Sequence, residues 1–264
     1  METPDLNPLL ASVVPYTLVV FRLAGVFVMA PLLVNILIPR RFKALLVIML
    51  SAAVFPIVSP TLTMAAVPVD LFGLLPLIVT EALIGVAIGG IAAIPLLSLE
   101  MAGIIAGQNM GLGLAKVYNP EADFETDILG QLIYYIGAGV FVAMNGLEKL
   151  LGSVMDSFKF VPLGGFQVSR TPLDLFVGTL SSGFELAIRV SAPVTGIVLL
   201  IVVVFAVVGK TMPQLNVMSV GFAIKIIAGL LMLTFALYAV RDAVGDELAR
   251  VLSNINQWVH SLAT

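Results

Sequence analysis

The sequence predicts an all-α fold that is polytopic in a membrane, and three features point there. Of its 264 residues, 60% are hydrophobic and 11% are charged, against about 25% charged in an ordinary soluble protein. The mean hydropathy is +1.12. The apolar residues are also gathered into long runs, about six of which reach the roughly 20 residues that a bilayer-spanning helix needs.

The first run, Val13 to Ile38, ends at Pro39 and the basic cluster Arg40, Arg41 and Lys43. The residues before it lack a positive region and include Glu2 and Asp5, which argues against a cleaved signal peptide. The second run, Ala44 to Ala66, has Pro56 and Pro60 in its far half; that half is expected to kink or end early because proline removes backbone donors. The third, Leu71 to Ala106, is too long for one straight span, and Pro95 and Glu100 are expected to divide it. The fourth, Ile128 to Leu147, is followed by a polar, glycine-rich connection from Glu148 to Asp174. The fifth, Leu175 to Val208, again exceeds one span. The sixth, Val217 to Val240, leads into a tail, Arg241 to Ser261. There Leu248, Val251, Leu252, Ile255 and Val259 recur at helical spacing, so the tail is expected to lie on a surface, of membrane or of partner.

Between the third and fourth runs lies Gly103 to Gln131, the one long interruption. Gly103, Gly107, Gly111 and Gly113 lower its helix stability, and Gln108 and Asn109 bring amides that need partners. Its second part turns acidic, with Glu121, Asp123, Glu125 and Asp127 after Pro120. Irregular backbone at membrane depth is tolerated where it is buried in protein or lines a watery cavity. The stretch is therefore expected to face a pore or a partner.

Charges within the apolar runs each cost roughly 2.5 to 3.5 kcal/mol at mid-bilayer on insertion scales. Arg22, Glu81 and Lys225 must accordingly face a subunit or cavity, or be neutralised internally, and the sequence leaves both open. Glu185 and Arg189 stand four apart and can pair along one helix. Glu81, Gly85 and Gly89 form one helical stripe, which lets another backbone approach closely, within the chain or across a subunit seam. Counting basic residues on the two sides of the runs gives nearly equal totals and no orientation.

Several chemistries are excluded or disfavoured. There are no cysteines and His260 is the sole histidine, so thiolate sites are impossible and a histidine metal cluster is not expected. No zincin, nucleophile-elbow or phosphate-loop pattern occurs. The net charge of −3, with no basic tract, gives no sign of nucleic-acid binding. The protein is read as no enzyme and as holding no cofactor. A secondary transporter using Arg22 and Glu81 for ion coupling is the rival from another class; few charged pairs and unequal halves speak against it.

Five fragments in order carry a family resemblance: Arg22 with Ala30-Pro31, Ile38 to Leu46 (IPRRFKALL), Glu81 with Gly85 and Gly89, Ala106 to Ala115 (AGQNMGLGLA), and Gly209 to Leu230. With them the chain resembles, along nearly its whole length, the FliR family of the flagellar type III export apparatus. The last fragment is also similar to the turn of the two-helix FliQ family, at Gln214, Asn216, Met218 and Lys225. The resemblance implies a FliP-like portion over residues 1–175 and a FliQ-like hairpin with an amphipathic tail over residues 176–264. It further implies a noncatalytic pore subunit in the bacterial inner membrane at the flagellar basal body. Its partners would be FliP, FliQ, FlhB and FlhA, and its cargo unfolded flagellar subunits. The injectisome counterpart shares that architecture and stays open. By the same resemblance residues 107–119 form a plug in the conduit, with Gln108, Met110, Leu112, Leu114 and Tyr118 as its groups. The buried or subunit-facing polar set would be Arg22, Glu81, Glu185, Arg189, Gln214, Asn216 and Lys225.

Overall fold

A computed structural model describes residues 7–33, 39–58, 71–113, 128–161, 163–164, 171–212 and 217–261, and every regular element among them is an α-helix. The helices are α1 (Asn7–Met29), α2 (Arg40–Val58), α3 (Leu71–Met110), α4 (Ile128–Ala143), α5 (Gly146–Phe160), α6 (Thr171–Thr211) and α7 (Val217–Ser261). Four contain stretches long and apolar enough to cross a membrane: α2, α3, α6 and α7, with a fifth if α4 and α5 count as one span. The apolar part of α1 is shorter, Val13–Met29.

The helices depart from the sequence expectations at four places. First, α3 runs unbroken through Pro95 and Glu100 for 40 residues. An internal proline costs about 3 kcal/mol, but Ile91, Ala92, Ala93, Ile94 and Leu96 are all buried, and that burial outweighs it. Second, the glycine-bearing segment from Gly103 to Met110 is the last part of α3 rather than loop. Third, the connection expected from Glu148 to Asp174 contains α5, whose Leu150, Val154 and Phe158 repeat every four residues and are buried. Asn145 separates α4 from α5 in the left-handed conformation, φ 56°, which asparagine tolerates better than most residues. Fourth, the C-terminal tail is the continuation of α7, and its Leu248, Val251, Leu252, Ile255 and Val259 are covered by the chain's own residues. The stripe reveals that one face is buried but not what buries it.

The chain forms two compact units. Unit 1 comprises Met1–Ala93, Asn145–Gly178 and Ala249–Thr264, and unit 2 comprises Ile94–Met144 and Thr179–Leu248.

In unit 1 the backbones of α1 and α3 touch. A Cβ on Gly25 would overlap the Ala82 carbonyl oxygen, and one on Gly85 would overlap that of Arg22. One turn on, a Cβ on Gly89 would sit 2.8 Å from the Val26 carbonyl oxygen. The glycine stripe thus serves packing inside the chain. Tyr16 of α1 meets Phe55 of α2 edge-on, 5.5 Å between ring centroids. The end of α7 is tied to α5 by the Ser153 hydroxyl, which donates to Asn256 Oδ1 at 2.5 Å.

That crossing brings Arg22 and Glu81 together inside unit 1, where both are almost completely buried. Arg22 Nε donates to Glu81 Oε2 at 2.5 Å. Its Nη1 donates to the Ser157 carbonyl oxygen at 2.9 Å and its Nη2 to that of Val161 at 3.3 Å. The guanidinium carbon lies 4.4 Å from the centre of the Phe158 ring, a cation–π contact. Glu81 Oε1 accepts from the Gly164 amide at 3.0 Å. Gly164 holds φ +73° and abuts the Leu77 side chain, so a larger residue there would be both strained and crowded.

In unit 2 small residues again set the spacing. A Cβ on Gly103 of α3 would lie 2.6 Å from Gly130 Cα of α4, and one on Gly183 of α6 would lie 2.9 Å from Ile94 Cγ2. Burial is uneven: the apolar window of α3 is 67% buried and that of α6 only 11%.

Gly85→Ala is expected to force α1 off α3, because the obstructing atoms are backbone. The loss should be about 1–3 kcal/mol or more, read as a lower thermal midpoint of the detergent-solubilised protein. Arg22→Met should cost about 3–5 kcal/mol, since it leaves a buried carboxylate without its cation. The double variant Arg22→Met/Glu81→Gln should recover part of that loss. Additive losses would show that the two residues do not act as a pair.

Candidate functional site

The feature with functional promise is the end of α3, where the chain leaves the helix for the segment expected to face a pore or a partner. The helix stops by a glycine cap. Gly111 takes φ 88°, its amide donates to the Gln108 carbonyl oxygen at 3.0 Å, and the Leu112 amide donates to that of Gly107 at 3.0 Å. This pair of bonds satisfies carbonyls that a helix end leaves open and needs a left-handed residue at position 111, hence glycine.

Immediately before the cap, two side chains fasten α3 to the rest of unit 2. Asn109 Nδ2 donates to the Thr195 hydroxyl on α6 at 2.8 Å. That hydroxyl donates in turn to the Ser191 carbonyl oxygen at 3.0 Å. Met110 is wholly buried and lies against Gly229 of α7, where an added Cβ would come within 2.7 Å of its Cγ and Cε. The end of α3 is therefore held by a polar contact on one helix and an apolar seat on the next.

The predicted groups are spread unevenly over this region. Gln108 is exposed and Leu112 is half-buried. Met110, grouped with the sealing residues on sequence, has its side chain enclosed in unit 2. Leu114 and Tyr118 lie outside the described residues, as do Gln214 and Asn216. Lys225 is half-buried on α7. Glu185 and Arg189 pair at 2.6 Å on α6, with side chains 68% and 58% exposed, so theirs is a bond along the helix surface and no part of a core. Arg22 and Glu81 belong to the buried cluster of unit 1.

Sequence reasoning missed Thr195, Gly229, Ser157 and Phe158. Asn109 carried a signal, an amide on an apolar helix that must find a partner. Thr195 and Gly229 carried none, because nothing in a threonine or a glycine on an apolar helix says which helix lies opposite. Among the described residues no group of three or more metal-ligating side chains is present.

Comparison with known proteins bears on the whole chain. A family profile described as bacterial export proteins, family 1, matches residues 13–251. The flagellar biosynthetic protein FliR of Buchnera aphidicola subsp. Acyrthosiphon pisum is 30% identical over 81% of this chain and 81% of its own length. That of Escherichia coli K12 is 25% identical over 79% of this chain and 78% of its own. The Yop proteins translocation protein T of Yersinia pestis is 29% identical over 86% and 88% respectively. A match that reaches from the first apolar helix into the last leaves no large part of the fold outside it, and the chain belongs to the bacterial export proteins, family 1.

Proposed function

We propose that the chain is a noncatalytic, pore-forming subunit of the flagellar type III protein export gate. It assembles with FliP and FliQ beside FlhB and FlhA, and passes unfolded flagellar subunits across the bacterial inner membrane at the basal body. The observation that carries this reading is the similarity to flagellar FliR proteins over about four fifths of both chains. On the same reading residues 1–175 are the FliP-like portion and residues 176–264 the FliQ-like hairpin with its tail.

The shape of the apolar surface supports a life inside an assembly. Helix α6 has 41 residues and, at 1.5 Å per residue, is about 60 Å long, against a hydrocarbon core of about 30 Å. Tilts of up to about 40° lengthen a span by less than a third. Yet α6 exposes large apolar side chains along its whole length, from Leu173, Phe176 and Val177 to Val203, Val204 and Val207. Hydrocarbon cannot cover all of them, and helices of neighbouring subunits can. The exposed Glu185–Arg189 pair fits the same view, because an ion pair avoids lipid at mid-bilayer.

Residues 107–119 are the plug on this reading. Glycines give the segment a small cross-section, and its leucines exclude ions without gripping a passing chain. The similarity to the Yop translocation protein T supports a second reading, the injectisome counterpart, with the same mechanism and a different cargo. Which substrates fail to leave the cell when the chain is deleted separates the two.

Deleting residues 107–119 should leave the gate able to assemble with FliP and FliQ and raise its resting ion conductance severalfold in planar bilayers. An assembled gate with unchanged conductance would remove the plug from the proposal. Failure of the full-length chain to copurify with FliP and FliQ would remove the gate.

A further inference from the structure

The root of the plug is bolted to the hairpin that follows it in sequence, and the bolt is made of two unlike contacts. Asn109 reaches α6 through Thr195 at 2.8 Å, and Met110 fills the space left by Gly229 on α7. Both contacts fall within unit 2. They sit one and two residues before the glycine cap at Gly111, which ends the helix. None of the four residues belongs to the segment 114–127.

We propose that Asn109, Thr195, Met110 and Gly229 are positioning residues for the plug: they fix the point from which the loop leaves α3 to the α6–α7 hairpin. The proposal rests on the reading of residues 107–119 as the plug. Its mechanical content is separate. A helix end with two glycines among its last eight residues, Gly103 and Gly107, frays easily because each interior glycine lowers helix stability. Fraying would move the loop's point of departure and unmake the cap. The amide–hydroxyl bond supplies direction, since Thr195 is itself oriented by its bond to the Ser191 carbonyl oxygen. The methionine seat supplies contact area that tolerates small shifts, because an unbranched thioether adapts to an irregular space. Movement of the hairpin therefore carries the root of the plug with it, and the loop cannot shift its root alone while both contacts hold.

The test uses the full chain assembled with FliP and FliQ. Thr195→Val keeps the shape of the side chain and removes the hydroxyl, whereas Thr195→Ser keeps the hydroxyl. Loss of one such hydrogen bond should speed hydrogen exchange of the amides from 108 to 113 about three- to tenfold, and Thr195→Ser should restore the wild-type rate. Gly229→Ala, which displaces Met110 without touching Asn109, should accelerate exchange over the same residues. Both accelerating variants should raise resting conductance, in smaller measure than deletion of the plug. Unchanged exchange at residues 108–113 in Thr195→Val and in Gly229→Ala overturns the positioning role, and so does acceleration that Thr195→Ser shares. If exchange responds as expected while deletion of residues 107–119 leaves conductance unchanged, the anchor stands and the plug reading falls.

Discussion

One buried guanidinium governs unit 1. An isolated charge in an apolar interior costs several kcal/mol even after relaxation, so Arg22 can sit there only if all of its fork is used. Glu81 of α3 takes its Nε, the end of α5 gives two carbonyls and an aromatic face, and Gly164 closes the other side of the carboxylate. The partners come from α3 and from the stretch Ser157–Gly164 at the end of α5, so the cluster cannot be satisfied until α1, α3 and that stretch have met. The glycines at 25, 85 and 89 belong to the same constraint. They let α1 and α3 approach until their backbones touch, and a thicker spacer there would carry the arginine away from its carboxylate. A pair of this kind is weak as a source of stability and strong as a specification, because a misregistered crossing would strand two buried charges.

Unit 2 is organised by steric fit instead of charge. Gly103 against Gly130, Gly183 against Ile94 and Ser98, and Gly229 against Met110 each remove a side chain so that a neighbour can come closer. Hydroxyls on its helices bond to their own preceding turn, as Ser98 does to the Ile94 carbonyl oxygen at 2.8 Å, so they add no unsatisfied polar atom to an apolar surface. The result is a helical body with a close-packed inner face and an outer face of valine, leucine, isoleucine and phenylalanine. Only lipid or other apolar helices can cover such a surface.

Much of the fold was legible because hydrophobic runs and glycine stripes are local signals. Arg22 and Glu81 were marked as charges needing shelter, but their pairing spans 59 positions and no local pattern encodes it. The carbonyls of Ser157 and Val161 were invisible for a plainer reason: every residue has a carbonyl. The unbroken course of α3 through Pro95 escaped because a local penalty was weighed without the burial around it. The same weighting hid α5, where the polar, glycine-rich character of Glu148 to Asp174 suggested a connection while Leu150, Val154 and Phe158 kept a helical beat beneath it. For the end of α3 the sequence offered the residue types and withheld their directions. Met110 looked like a soft seal and is a buried seat, because the orientation of the last helical turn is set by α6 and α7, far along the chain.

The glycine cap at Gly111 also partitions freedom to vary. Gly107 and Gln108 have their carbonyls closed by the amides of Leu112 and Gly111, so two of the carbonyls that the end of α3 leaves open find their donors by position 112. Every donor and acceptor of this cap lies before Gly113. Changes at Gly107 or Met110 reach into packed core, whereas Gln108 is exposed. The cap closes the helix with backbone groups alone, so what it prescribes is the left-handed backbone at position 111 and no other side chain of the turn.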